Sequence, residues 1–268
     1  LISFEKHFTN DGGRAIECGR VSADYAEHRP NYPDEFYSRL AARGIGVPGQ
    51  SILDLGTGVG FLAQRFAEQG ANVTGIDVDA GQIAVAQQRA EAAHIRVDYR
   101  VAPAEDTGLP GSSFDIITAS QCWLYFDRER ACREVLRLLR PGGRLMTCHL
   151  CWLPLLDETT RLTEQLVLKY NPQWTGGGYE GNIPRELPWM KPAFDVDDFF
   201  IFDAAIPFTR ESWRGRFRAC RGVGASLSPD EIAAFDAELA ALLDEIVPPE
   251  FTIVHRIDCH ILRPSSER

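Results

Sequence analysis

The chain of 268 residues carries 28 Lys and Arg against 38 Asp and Glu, a net charge of −10 at neutral pH. That balance argues against non-specific binding to nucleic acid or to an anionic membrane, both of which require a basic face. With 44% hydrophobic and 25% charged residues, and no run of 18 apolar residues, the sequence has the make-up of a globular protein with a sizeable core rather than a membrane-spanning helix.

From the N-terminus, residues 32–44 (YPDEFYSRLAARG) predict a helix, with Pro33 near its start and Gly44 at its end. Residues 51–55 (SILDL) read as a short buried strand. Residues 59–69 put Val59, Leu62 and Phe66 at helical spacing, and Gly70 stops them. Residues 71–77 (ANVTGID) are the next strand, and Asp79 caps a helix reaching about residue 94. Residues 96–101 alternate as a strand, and 113–120 (SFDIITAS) form another. Asp127 caps a helix whose Ala131, Val135 and Leu138 share a face, the RPGG of 140–143 closes it, and 144–150 is a fifth strand. Strands alternating with helices at this spacing specify βαβ units and a mostly parallel sheet covered by helices on both faces. Ligands of such sheets bind at the carboxyl ends of the strands.

After residue 150 the pattern changes. A helix over about 155–170 precedes residues 171–192, rich in Gly, Pro and Trp, which read as a lid or substrate-binding insertion. Residues 198–208 return as a strand. Ser228–Pro229–Asp230–Glu231 is a capping box with proline at the first helical position, and it opens a helix with Ile232, Phe235, Leu239, Leu242 and Ile246 on one stripe. Residues 251–262 close the chain as a long strand, expected to add an antiparallel edge. The organisation expected is one domain: an N-terminal helical cap (1–45), a cofactor half (51–150), a lid (151–225), and a closing helix and strand (226–268).

Seven cysteines stand at 18, 122, 132, 148, 151, 220 and 259. The CHLC of 148–151 has no second pair to complete a metal site, and an odd, scattered set without a signal peptide points to reduced thiols in the cytoplasm. No metal-ligand spacing stands out, and His255 and His260 read as structural.

The chemistry concentrates in SILDLGTGVG (51–60) followed by GIDVD (75–79). A dinucleotide fingerprint G-x-G-x-x-G would need glycine at 61, which is Phe61; the third glycine is Gly60 instead, giving D-x-G-x-G-x-G from Asp54. No Lys-Ser/Thr follows, so a phosphate loop is excluded. The pattern suits a ligand without pyrophosphate that lies flat on backbone, and Asp77 at the end of the second strand is placed to accept both hydroxyls of a ribose.

The motifs ILDLGTGVG, GIDVD, APAEDTGLPGSSFDIITAS and LRLLRPGGRLM stand in the order seen in class I S-adenosylmethionine-dependent methyltransferases, which the chain resembles strongly over residues 20–150. SADYAEHRPNYP (22–33) and SQCWLYFD (120–127) resemble the type 11, trans-aconitate-methyltransferase-like branch that acts on small molecules. The resemblance implies a Rossmann-like sheet of seven strands with the last antiparallel, S-adenosylmethionine as cofactor, and a small-molecule acceptor. It places Gly56, Gly58 and Gly60 under the methionine part and ribose, Asp77 on the ribose hydroxyls and Val78 on adenine. Ala104 and Glu105 would meet the adenine edge. Gln121 would face the methionine portion, and Tyr25 and Arg29 would close over the cofactor, Arg29 on its carboxylate. Many relatives carry an acid where this chain has Pro103, which moves the adenine contact to Glu105.

Methyl transfer requires alignment of nucleophile, methyl and sulfur, and a base when the acceptor is protonated. Tyr125 and His149 are the candidates at strand ends. Trp123, Trp152, Trp174, Tyr179, Trp189 and Phe194 suit an apolar or aromatic acceptor. In 209–222, the only basic cluster, Arg214, Arg218 and Arg221 share a helical face that would hold an acidic substrate. Two other classes stay open: an NAD-dependent oxidoreductase, disfavoured by Phe61, and a cofactor-binding protein in which methyl transfer has been lost or repurposed.

Overall fold

The computed structural model describes residues 10–11, 14–15 and 21–266. Cys18 and most of the first 20 residues of the expected N-terminal cap lie outside the described residues. Strands β1 (Asn10–Asp11) and β2 (Arg14–Ala15) pair antiparallel. Helices α1 (Ser22–His28) and α2 (Asp34–Ala41) follow. The alternating region then runs β3 (Ser51–Leu55), α3 (Phe61–Glu68), β4 (Asn72–Asp77), α4 (Ala80–Ala92), β5 (Asp98–Val101), β6 (Phe114–Ser120), α5 (Arg128–Leu138) and β7 (Leu139–Trp152). The remainder is α6 (Glu158–Tyr170), β8 (Phe194–Thr209), α7 (Arg210–Arg218), α8 (Pro229–Ile246) and β9 (Glu250–Pro264).

The caps act where their chemistry requires. Asp79 accepts from the backbone N–H groups of Gly81 and Gln82, Asp127 from that of Arg130, and Ser228 and Glu231 close the capping box of α8. Each satisfies helix N–H groups that have no partner inside their own helix.

Seven strands form one sheet in the order β5-β4-β3-β6-β7-β9-β8, six parallel and the last strand, β9, antiparallel. Three differences from the sequence reading stand out. β7 starts at Leu139 rather than 144, because RPGG is absorbed into the strand as a bulge: the register jumps from Phe114↔Leu139 to Ile116↔Arg144. The antiparallel strand β9 is not at the edge; it lies between β7 and β8, and β8 is the edge strand. On α8 the fully buried positions are Phe235, Leu239 and Leu243, not Leu242.

The chain divides into two compact units, each built from three segments. The first comprises residues 31–150, 183–202 and 257–268. Its core holds Phe36, Leu40, Ile52, Leu53, Leu55, Phe66 and Ile76, all fully buried. The second comprises 1–30, 151–182 and 203–256. Its interior is aromatic: the Trp152 ring stacks on Phe217 at 4.9 Å, and Trp213 meets Phe217 edge-on at 5.0 Å. The irregular stretch 171–192 passes from one unit to the other after residue 182. Among the described residues no helix is long and apolar enough to cross a membrane, and the cysteines at 122, 132, 148, 151, 220 and 259 are not in disulfides.

Candidate active site

In the first unit, β3 ends in Asp54 and Leu55 and the chain turns directly into the glycine loop. Asp54 is 2% exposed and both its oxygens are engaged: Thr118 Oγ1 donates to Oδ1 at 2.6 Å and Thr57 Oγ1 to Oδ2 at 2.7 Å. Burial pushes its pKa up to about 6, while the two hydroxyls pull the other way. Asp54, a cofactor-binding candidate from the D-x-G-x-G-x-G motif, thus braces the glycine loop through Thr57 and the neighbouring strand through Thr118. At Gly56, φ is +58° and a Cβ would stand 2.9 Å from Cys122 Sγ; at Gly60, φ is +84° and a Cβ would run into the Tyr99 hydroxyl. Only glycine satisfies both constraints, and the result is a turn of bare backbone.

Asp77 ties the end of β4 to that turn. Its Oδ2 accepts from Gly58 N–H at 3.0 Å and its Oδ1 from Asp79 N–H at 2.9 Å. The carboxylate is half-buried, and burial raises its pKa. Beside it Val78 is 69% exposed, a large apolar side chain open to a flat ring. Ala104 is buried, and Glu105 Oε1 accepts from Asp127 N–H at 2.7 Å, so part of this carboxylate serves the start of α5. Gln121 holds φ +64°, a conformation disfavoured for a side-chain-bearing residue. Two bonds to the end of β7 hold it there: Gln121 N–H donates to the Cys148 carbonyl at 3.0 Å and Nε2 donates to the Leu150 carbonyl at 2.8 Å.

The residue between those two carbonyls is His149. Its Nδ1 lies 3.0 Å from Oδ2 and 3.2 Å from Oδ1 of Asp258, a fully buried residue on β9. A carboxylate only accepts, so Nδ1–H donates, and in the neutral ring the lone pair then lies on Nε2. His260 stands on the other side, with Nδ1 3.7 Å from Asp258 Oδ2 and Nε2 3.0 Å from the Pro184 carbonyl, to which it donates; burial lowers its pKa. Sequence reasoning missed Asp258. The signal was available: HRIDCHIL sets an acid between two histidines in a strand whose residues 257–262 are buried on both faces, and an acid in such a place requires a partner. Tyr125 sits half-buried in a 3-10 turn, Trp123–Tyr125. Trp123 packs against Trp189 at 4.7 Å, and Phe194 is fully buried.

The other expected residues belong to the second unit. The Arg29 guanidinium lies 5.1 Å over the Tyr25 ring. Trp152 is 8% exposed and donates Nε1–H to Glu164 at 2.6 Å. Trp174 is buried against Gly176, Gly177 and Gly222, whereas Tyr179 is half-buried. Trp152 and Trp174 are thus core side chains of this unit rather than an open aromatic wall. Arg214 and Arg218 also differ from expectation. Asp236 pairs with both; Glu211 accepts from Arg214 at 2.8 Å and from Arg218 at 2.8 Å. Their charges are met by the protein's own acids.

Comparison with known proteins agrees with this layout. Residues 53–147 match the model of a methyltransferase domain. A ubiquinone biosynthesis O-methyltransferase of Xanthomonas campestris is 31% identical over 183 residues, covering 67% of this chain and 74% of that protein. An uncharacterized methyltransferase of Mycobacterium tuberculosis is 33% identical over 131 residues, 49% of this chain and 51% of its own length. The chain thus spans about half the length of the mycobacterial relatives it matches. Among solved structures, a candidate type II methyltransferase from Anaeromyxobacter dehalogenans superposes with a TM-score of 0.59 at 25% identity, over 87% of this chain and 96% of that one. With the glycine turn, the acid closing β4, and the β5-β4-β3-β6-β7-β9-β8 order of its sheet, the chain belongs to the class I S-adenosylmethionine-dependent methyltransferases.

Proposed function

We propose that the chain methylates a hydroxyl of a small organic molecule, with His149 as general base. The observation that carries this reading is the contact of His149 Nδ1 with the buried carboxylate of Asp258. S-adenosylmethionine supplies an electrophilic methyl group on a positively charged sulfur. Gly56, Gly58 and Gly60 leave bare backbone for it, Asp77 accepts from its ribose, and exposed Val78 packs against its adenine. Ala104, Glu105 and Gln121 complete that surface within the same unit. Tyr25 and Arg29 are assigned to the cofactor by the family resemblance.

A neutral hydroxyl is a weak nucleophile. His149 Nε2 takes the hydroxyl proton as the acceptor oxygen bonds to the methyl carbon and the carbon–sulfur bond breaks. Asp258 selects the neutral tautomer with the proton on Nδ1 and stabilises the imidazolium that results. Positioned base catalysis of this kind contributes about 10²–10⁴ in rate. Tyr125 is the second candidate base. The similarity to an O-methyltransferase supports a hydroxyl acceptor. The net charge of −10 supports a small molecule over a nucleic acid, and the reduced cysteines support a cytoplasmic setting.

A labelled-methyl screen over phenols, catechols, amines and carbon acids tests the proposal. Transfer to hydroxyl acceptors that collapses in His149→Gln is the expected result. Faster transfer to amines, or full activity in His149→Gln, would remove the basis for this assignment.

A further inference from the structure

Side chains alternate between the two faces of a strand, so Asp258 and His260, two residues apart on β9, share a face. The neighbouring strands complete the group. β7 brings His149 against Asp258, and β8 brings Phe199 against the His260 ring, with 4.5 Å between centroids. All four residues, with Pro184, belong to the first compact unit.

The His260 ring is fully buried. Its Nε2 lies 3.0 Å from the Pro184 carbonyl, an atom that only accepts, so Nε2 carries a proton. In the neutral ring the lone pair is then on Nδ1. That nitrogen faces Asp258 Oδ2 at 3.7 Å, a separation beyond a hydrogen bond. The same oxygen receives Nδ1–H of His149 at 3.0 Å. Among the described residues, the titratable and charged groups around the ring are Asp258 on its own strand, His149 on β7 and Arg185 beside Pro184. Burial, the largest influence, lowers the pKa of His260, and His149 and Arg185 act in the same direction; the Pro184 carbonyl and Asp258 pull the other way. The ring is therefore neutral at neutral pH.

The two tautomers of a neutral histidine act oppositely on a neighbouring carboxylate. With its proton on Nδ1, His260 would donate to Oδ2 and draw on the charge that supports His149. With its proton on Nε2, it turns a lone pair to the carboxylate and makes no such demand. We infer that His260 is a positioning residue for the base: the Pro184 carbonyl holds its proton on Nε2, and Asp258 is thereby reserved for His149. This role rests on the part proposed for His149 in the reaction and names the residue that keeps its carboxylate available.

The test reads both rings directly by NMR, on the full chain with isotope-labelled histidine and without turnover. In the wild-type chain at neutral pH, the His260 proton should be on Nε2 and Nδ1 should be bare. A proton on Nδ1, or on both nitrogens, overturns the inference and requires no variant. Two substitutions then separate the ring positions, since a glutamine amide reaches where Nε2 stands and an asparagine amide reaches where Nδ1 stands. His260→Gln should keep the bond to Pro184 and leave the His149 titration unchanged. His260→Asn, with an N–H turned to Oδ2, should lower the midpoint of the His149 titration by about half a unit to one unit, and move the acid limb of the pH–kcat profile to lower pH by the same amount. Equal shifts in the two variants, or no shift in folded His260→Asn, overturn the inference. A His149 ring that follows this pattern in a chain whose methyl transfer is untouched by His149→Gln refutes the proposed function and leaves the coupling of the two rings standing.

Discussion

Replacing Asp258 by Asn tests the base most directly, because it changes charge with little change in shape. Asp258 is fully buried and contacts His149 Nδ1 through both oxygens, at 3.0 and 3.2 Å. A hydrogen bond to a charged group contributes about 1.5–3 kcal/mol and a neutral one about 0.5–1.5. Losing the difference, about 1–2 kcal/mol, from a transition state with an imidazolium lowers kcat about 5- to 30-fold. If the Asn amide turns its NH₂ toward Nδ1, the proton moves to Nε2 and the whole base contribution, about 10²–10⁴, is lost. The loss should depend on the acceptor. A phenol of pKa about 10 is almost wholly protonated at neutral pH, whereas one near 7 is about half ionised and needs little help. The assay is S-adenosylhomocysteine release along a series of substituted phenols, with thermal melting to confirm folding. Asp258→Asn is expected to lower kcat for the weakly acidic phenols, to spare the acidic ones, and to leave the cofactor KM unchanged. An equal loss across the series, or no loss in a folded variant, would refute the general-base argument.

Asp54 gives a pH signature with a definite sign. Its pKa is raised from 3.8 to about 6, so the folded state holds the proton more tightly than the unfolded chain; its contribution is full below about 4 and is lost as pH rises through about 6. The shift of roughly two units corresponds to about 3 kcal/mol. Urea titrations of wild type and Asp54→Asn should therefore show a stability difference that moves in the variant's favour between about pH 4 and about pH 8, and a constant difference would contradict it. Asp77→Ala should weaken S-adenosylhomocysteine binding by about 2–4 kcal/mol in calorimetry, since two charge-assisted bonds to ribose are lost and the Gly58 N–H is released; a change under about half a kcal/mol would place Asp77 outside the site. Gly60→Ala should lower stability by about 1–3 kcal/mol in chemical denaturation, because φ is +84° and the new methyl meets the Tyr99 hydroxyl; an unchanged midpoint would show that the loop relaxes freely.

What could be read ahead of the structure was local. Asp79, Asp127 and Ser228 announce helix starts through hydrogen bonds made within three residues, and a short parallel strand such as β3 is a plain apolar run. The glycine turn was legible for the same reason, since positive φ at Gly56 and Gly60 is a property of those residues and their immediate neighbours. Partnership across the fold was not legible. His149 and Asp258 stand 109 positions apart, and their contact depends on β9 lying next to β7. The arginines of α7 show the same limit. Helical spacing groups 214 with 218, but which face is solvated and which is buried is decided by Asp236 and Trp152, on other elements.

The placement of β9 bears on how the chain can be made. It is the last of the nine described strands to leave the ribosome, yet it lies between two earlier ones, β7 and β8. Until it arrives, both expose unpaired backbone along edges of 14 and 16 residues, a template for association with other nascent chains. Synthesis arrested before residue 250 would leave those edges open and would also lack Asp258. Chaperone demand during translation should therefore peak after β8 has emerged, and fall once β9 has joined the sheet.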